Sequence, residues 1–225
     1  MRTQRWARAV RVGPALIGVV AVATSCGATA PPPPRFARSV DIGLVSGTVL
    51  VEPIAGSSFR LGARDRSIPV GSELDTTLGE VDLRSARPPG HTAAATNATT
   101  IQDGQFSGAL FKILQRKGEH GLTELDLVTT SKLRGLCVAA SKATVGQLSD
   151  RVLQTLRAHD NGGLFRTSGR FSAATVRGTV WDTIDRCDGT YTVVYRGSVY
   201  VYNYVDRKTI IVRAGHSYLA TAPTG

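Results

Sequence analysis

From residue 43 onward the chain consists largely of short runs in which valine, leucine and threonine alternate with polar residues, separated by glycine or proline. Alternation at every second position puts apolar side chains on one face of an extended strand, so this pattern predicts β-strands in close succession. The predicted strands cover residues 43–52, 59–61, 67–70, 73–77, 80–84, 109–114, 122–128, 175–182, 190–195, 198–204 and 209–213.

One segment has a different period. Four apolar residues recur there at three- and four-residue intervals, namely Val145, Leu148, Val152 and Leu156. The sequence Asp-Asn-Gly-Gly at 160–163 is a typical helix stop, so we expect one short amphipathic helix over residues 144–159, inserted in an all-β fold. Residues 85–100 are rich in small residues and proline, and we expect them to form a surface loop.

The amino-terminal segment has the composition of an export signal. Its charged residues are four arginines, at positions 2, 5, 8 and 11, and no acidic residue precedes Asp41. The apolar run that follows, residues 12–23, is shorter than the roughly 20 residues that cross a bilayer. Residues 1–25 are therefore predicted to be a secretory signal peptide.

The end of this signal indicates how the mature chain begins. Residues 23–26 read Ala-Thr-Ser-Cys, the layout of a lipobox, which predicts a lipid anchor on Cys26 at the outer face of a bacterial membrane. Ordinary cleavage after Ala30 would give a freely secreted protein, but Pro31 fits badly in a protease cleft. Residues 26–42 are then a linker whose four consecutive prolines form an extended spacer.

Removal of the signal changes the meaning of the charge. The full chain carries 27 basic and 17 acidic residues, a net charge of +10, and the four signal arginines account for part of that excess. The remaining excess suits anionic lipid headgroups or an anionic wall polymer, or is simply a solvated basic surface. An exported protein meets little intracellular nucleic acid, so we expect no nucleic-acid partner.

Cys137 and Cys187 remain once Cys26 is assigned to the lipid. In an exported chain such a pair is expected to form a disulfide. The alternative, a catalytic cysteine, needs a histidine base, and no local motif joins either cysteine to His159 or His216.

The sequence contains no recognisable catalytic or metal-binding motif, so we predict no enzymatic activity, no cofactor and no metal. The histidines are scattered on predicted loops. Asp182, Asp185 and Asp188 are three residues apart, but Asp182 and Asp185 should point to opposite faces of a strand, and Asp188 should lie in a hairpin turn.

All six tyrosines fall in the last 35 residues. Alternation puts Tyr200, Tyr202 and Tyr204 on one face of a strand, and Val199 and Val201 on the other. Such an aromatic face could bind sugars or a partner protein, or it could simply stabilise the sheet through cross-strand pairs.

Residues 165–181, FRTSGRFSAATVRGTVW, resemble the FecR-like domain family, extracytoplasmic β domains named after a ferric citrate regulator. The similarity continues in the strand segments 47–51, 68–77, 190–204 and 212–218. It implies a solenoid-like or twisted β-sandwich fold over residues 43–222, no catalytic activity, and a structural role for Arg177 in bracing a glycine turn.

In the best-known members of that family the domain signals to a sigma factor through a cytoplasmic segment and a spanning helix. Neither is recognisable in this sequence, so we do not expect that role. We expect a lipid-anchored, cell-surface binding or scaffold domain that could sense a ligand. The alternative is a structural or regulatory subunit of an envelope protein complex.

Overall fold

The computed structural model describes residues 32–88, 100–141 and 149–223. Most of these residues lie in strands, which confirms the all-β prediction. The described strands are β1 Ser39–Glu52, β2 Phe59–Arg60, β3 Arg66–Pro69, β4 Glu73–Arg87, β5 Thr100–Ser107, β6 Leu110–Leu114, β7 Thr123–Leu127, β8 Val152–Asp160, β9 Phe165–Ser168, β10 Ser172–Val176, β11 Val180–Arg186, β12 Gly189–Arg196, β13 Ser198–Asn203, β14 Lys208–Arg213 and β15 Ser217–Thr221. The helical elements are a short 3-10 helix, Lys117–Glu119, and the α-helix α1, Ser131–Ser141.

The fifteen described strands form one hydrogen-bonded sheet that curls around the core. Its main path runs β14-β13-β10-β9-β7-β6-β4-β5-β8-β11-β12-β15, and β1 pairs with the other edge of β4. The two ends of the path lie close to each other. β14 contacts both β12 and β15, and the Asn203 amide at the end of β13 donates to the Tyr218 hydroxyl of β15 at 2.9 Å. The sheet is therefore nearly closed.

The core follows from the alternation of the strands. Its largest fully buried side chains are Trp181, Phe106, Phe111 and Phe165. The rings of Phe106 and Phe165 pack with centroids 5.3 Å apart, and the Trp181 indole N–H donates to Thr167 Oγ1 at 2.8 Å. Burial of each large apolar side chain contributes about 1.5–3 kcal/mol, so these four residues are major contributors to the stability of the core.

The strand boundaries differ from the predictions at several places. β1 begins at Ser39, and Pro34 is already buried, so the folded body starts inside the predicted linker. The predicted loop 85–100 is strand up to Arg87, because β4 pairs there with β5, and most of the rest lies outside the described residues. β5 itself was not predicted.

The predicted helix over residues 144–159 is wrong where the structure describes it. Residues Val152–Asp160 form β8, which pairs with β5 and β11. Two polar side chains, Gln154 and Asp160, take interior positions there and hide the alternation, because both are hydrogen-bonded rather than apolar. The single α-helix among the described residues lies earlier, at Ser131–Ser141.

The predicted disulfide is present. Cys137 of α1 is bonded to Cys187, which lies in the two-residue turn between β11 and β12, with the Cα atoms 5.2 Å apart. Because disulfides persist in oxidising compartments, the bond indicates an extracytoplasmic environment. Within the described ranges, no helix has the length and apolar character needed to span a membrane.

Candidate functional site

Tyr200 and Tyr202 of β13, and Tyr204 in the turn that follows it, lie on the outer face of the sheet. Tyr200, Tyr202 and Tyr204 are 54%, 42% and 40% exposed, while Val199 and Val201 are fully buried in the core. The predicted division into an aromatic face and a valine face is therefore correct. That these tyrosines bind a partner stays a prediction.

An isoleucine from the next strand extends this surface. Ile211 of β14 lies directly opposite Tyr200 and is also exposed. The rings of Tyr202 and Tyr204 meet edge to face, with centroids 5.9 Å apart. Tyr200, Tyr202, Tyr204 and Ile211 form a contiguous apolar surface, here termed the tyrosine face.

A buried asparagine fixes the end of this face. The Asn203 amide donates from Nδ2 to the Tyr218 hydroxyl at 2.9 Å and to Asp206 at 3.0 Å, and its Oδ1 accepts from the Val205 backbone amide at 2.8 Å. These bonds satisfy the side chain and hold the turn that carries Tyr204. The turn that displays Tyr204 is therefore held by side-chain hydrogen bonds.

Charged groups border the face on the side of Tyr204. Glu124 of β7 accepts hydrogen bonds from Ser168 at 2.6 Å and from Arg116 at 2.7 Å. Burial raises the pKa of the Tyr204 hydroxyl, and the nearby Glu124 and Asp126 carboxylates raise it further. The tyrosine face thus has an apolar centre and a rim of paired charges.

A second surface, here termed the polar groove, lies across β4, β5, β8, β11 and β12. It encloses about 430 Å³ and is open to solvent. The polar or aromatic side chains that line it are Glu80, Gln105, Ser107, Arg157, His159, Asp182 and Tyr195. Asp182, Arg157, Ser107 and Glu80 are successive cross-strand partners, so they form one row on the outer face.

Asp182 is the least exposed charged group of the groove. The Tyr195 hydroxyl donates to its Oδ2 at 3.0 Å, and Arg157 Nε lies 4.0 Å from the same oxygen. Burial raises the pKa of the Asp182 carboxyl, although both neighbours act against that shift. The structure also corrects the placement of His159 on a loop: it lies on β8, with Nε2 3.1 Å from Arg196.

The three clustered aspartates do not converge. Asp182 faces the groove, whereas Asp185 is fully buried and accepts hydrogen bonds from the Thr190 hydroxyl at 2.7 Å and the Arg170 amide at 3.0 Å. Asp188 pairs instead with Arg186. Across the part of the chain that the structure describes, no group of three or more His, Cys, Asp or Glu side chains is placed to hold a metal ion.

The glycine turn of the Val-Arg-Gly-Thr segment is held by an aspartate. Gly178 has a φ of +70°, and its amide donates to the fully buried Asp160, which also accepts from the Gly163 amide at 2.6 Å. The Arg177 side chain is exposed. The expected bracing role of Arg177 is therefore performed by Asp160, a residue that the sequence analysis did not single out.

Comparisons of the chain with protein-family models, with curated proteins and with solved structures give no match. The tyrosine face could be predicted from the sequence because its three rings alternate along one short segment. The polar groove could not, because its lining residues come from five strands and meet only through strand pairing, which no local motif signals. Cys26 lies outside the described residues.

Proposed function

We propose that the protein is an exported, non-catalytic binding domain of the FecR-like type, held at the outer face of the membrane by a lipid on Cys26. It recognises a second envelope protein through the tyrosine face. The observation that carries this proposal is the outward display of three tyrosine rings and Ile211 from two adjacent strands.

The composition of the face favours a protein partner. Tyrosine is enriched at protein interfaces because its ring buries a large apolar area while its hydroxyl stays hydrogen-bonded. Its side chain also has few rotatable bonds, so binding costs little conformational entropy. The paired charges of Glu124 and Arg116 supply a polar rim on the Tyr204 side of the apolar centre, as protein interfaces have.

Export and anchoring are supported by the disulfide together with the amino-terminal sequence. The Cys137–Cys187 bond belongs to an oxidising compartment, and the lipobox-like residues 23–26 give a route to the membrane. The variant Cys26→Ser tests the anchor. We expect it to lose the lipid mass and to move to the soluble fraction, and a variant that stays membrane-bound with unchanged mass would overturn the assignment.

The carboxylates of the polar groove support binding rather than hydrolysis. Glu80 and Asp182 lie three strand spacings apart in their cross-strand row, about 14 Å between Cα atoms along the sheet. Arg157 stands between them. Because Arg157 and Ser107 lie between the two carboxylates in this row, neither carboxylate is the direct cross-strand neighbour of the other, which supports a site that binds its ligand unchanged.

Affinity capture from native membranes tests the tyrosine face. The full chain is cross-linked in cells and purified, either as wild type or with Tyr200→Thr and Tyr202→Thr, which keep a strand-forming side chain. The control is Tyr195→Thr, which removes an exposed ring of the same size from β12. We expect the double variant to recover at least tenfold less partner, and the control to recover as much as wild type.

Equal recovery of the partner by the wild type and the double variant would reject the proposal. A partner that stays bound in a fixed ratio through gel filtration would identify the chain as a permanent subunit of an envelope complex. Recovery of an anionic wall polymer instead of a protein would also contradict the proposed partner.

A further inference from the structure

The polar groove is longer than its first recess. It continues into a second recess of about 440 Å³ that reaches Ser46 of β1. Glu80, Ser107 and Arg157 line both recesses and so connect them. From Tyr195 of β12 to Ser46 of β1 the groove crosses five strand spacings, about 24 Å along the sheet. A channel of this length that is open to solvent suits an extended chain-like ligand rather than a compact one.

The side chains that line the groove select the chemistry of this ligand. Arg157 and Gln105 offer N–H donors, Glu80 and Asp182 offer acceptors, and the second recess adds the exposed hydroxyl groups of Ser46 and Thr77. A sugar hydroxyl both donates and accepts, so a polyhydroxy ligand matches this mixture.

The charge of the groove argues against an anionic ligand. Its lining holds one cation, Arg157, against two carboxylates, Glu80 and Asp182, although the chain as a whole is strongly basic. A phosphate or carboxylate ligand would meet like charge on both sides of Arg157. An uncharged ligand meets no such penalty.

One end of the groove carries an aromatic ring. Tyr195 is 58% exposed, and its hydroxyl is held by Asp182, so the ring cannot swing freely away from the groove. A ring fixed in this way presents an apolar surface to the C–H face of a sugar. Both contacts to Asp182 use Oδ2, and among the described residues Oδ1 has no hydrogen-bond partner.

We propose that the polar groove binds a linear, uncharged oligosaccharide, with one sugar ring stacked on Tyr195 and its hydroxyls bonded to Asp182, Arg157 and Gln105. This site shares no residue with the tyrosine face, so it does not depend on the function proposed for that face.

Isothermal titration calorimetry of the full chain with chitohexaose and with cellohexaose tests this site. We expect at least one hexasaccharide to bind, and Asp182→Asn, which keeps the shape of the side chain, to weaken binding about tenfold. Tyr195→Thr should weaken it by a similar factor, whereas Tyr195→Phe, which keeps the ring, should retain most of the affinity. Tyr200→Thr, outside the groove, should leave it unchanged. Circular dichroism and thermal melting verify that each variant is folded.

Failure of both hexasaccharides to bind at millimolar concentration would overturn the proposal. Equal binding of N-acetylglucosamine and chitohexaose would contradict the extended ligand. Binding of a polyphosphate chain that Arg157→Gln abolishes would identify an anion site instead. None of these results would alter partner capture through Tyr200 and Tyr202, so the two proposals fail separately.

Discussion

The tyrosine face and the polar groove lie on the same sheet but are built in different ways. The tyrosine face takes two rings from β13, one from the turn that follows, and one side chain from β14, and it is apolar. The groove takes its side chains from five strands, and it is polar, with a desolvated carboxyl. A surface on one hairpin needs alternation and a single strand pairing, whereas a surface across five strands needs correct register at every pairing. The groove should therefore be the more sensitive of the two to loosening of the fold.

Removal of the disulfide should show this difference most strongly. The double variant Cys137→Ser with Cys187→Ser frees the turn between β11 and β12, the strands that carry Asp182 and Tyr195. We expect the free energy of unfolding, measured in urea, to fall by about 2–4 kcal/mol. Hydrogen exchange should increase more in β11 and β12 than in β13.

Reduced wild-type protein serves as the control and should behave like the double variant. An equal increase of hydrogen exchange in β13 would contradict the expectation that the polar groove is more sensitive than the tyrosine face to loosening of the fold. Two free thiols in the denatured, non-reduced protein would reject the disulfide itself.

Loss of Asp160 should weaken both surfaces together. Its carboxylate binds the Gly163 and Gly178 amides, and the Gly178 turn joins β10, which pairs with β13, to β11 of the groove. Asp160→Ala leaves buried donors without a partner, so we expect the unfolding free energy to fall by about 2–3 kcal/mol. Arg177→Ala, an exposed change in the same turn, should alter it by less than about 0.5 kcal/mol. Equal stability of Asp160→Ala and wild type would show that the turn does not depend on this carboxylate.

Asp185 lies on the same strand as the groove residue Asp182 but is fully buried, so a substitution there should change stability without changing ligand binding. Burial raises its pKa, so the folded state holds the proton more tightly than the unfolded state. Protonation therefore stabilises the fold below the unfolded value near 3.8, and this contribution is lost as the pH rises through the folded pKa. Asp185→Asn keeps an acceptor for the Thr190 and Arg170 donors without the charge.

We expect Asp185→Asn to raise the Tm at pH 8 by about 2–4 °C, the shift that about 1 kcal/mol gives in a domain of this size. The gain should shrink as the pH falls towards 4, and oligosaccharide affinity should not change. A Tm of Asp185→Asn below that of the wild type at pH 8, or a Tm difference between the two proteins that widens in acid, would contradict this account of Asp185. Differential scanning fluorimetry across the pH range gives the measurement.

Of the changes made to either surface or to its supports, the smallest effect on stability is expected at the tyrosine face. Tyr200→Thr with Tyr202→Thr removes exposed rings whose cross-strand partners are Thr175, Ala173, Ile211 and Thr209. We expect the unfolding free energy, measured in urea, to change by less than about 1 kcal/mol, because such pairs contribute little and both threonines favour strands. A loss of several kcal/mol would mean that the rings serve the sheet rather than a partner.

The sequence was sufficient where alternation is local and was misleading where buried positions are polar. β13 was predicted because Val199 and Val201 alternate with tyrosines. β5 and β8 were missed because Gln102 and Gln154 occupy interior positions, where they are hydrogen-bonded within the fold. Satisfied polar groups of this kind are compatible with a core but erase its hydrophobic pattern.

The polar groove could not have been predicted in this way. Glu80, Gln105 and Asp182 meet because β4, β5, β8 and β11 are neighbours in a fixed register, and that register arises from packing between distant segments. The alternation of Tyr200, Tyr202 and Tyr204 followed from the sequence alone, whereas the contribution of Ile211 depends on the pairing of β13 with β14.

The most direct test of the central claim is site-specific photo-cross-linking in intact cells, with p-benzoylphenylalanine in place of Tyr202 or, as the control, of Tyr195. The account predicts a discrete cross-linked species with another protein from position 202 and none from position 195. Absence of that species at position 202, or its appearance at both positions, would contradict recognition through the tyrosine face.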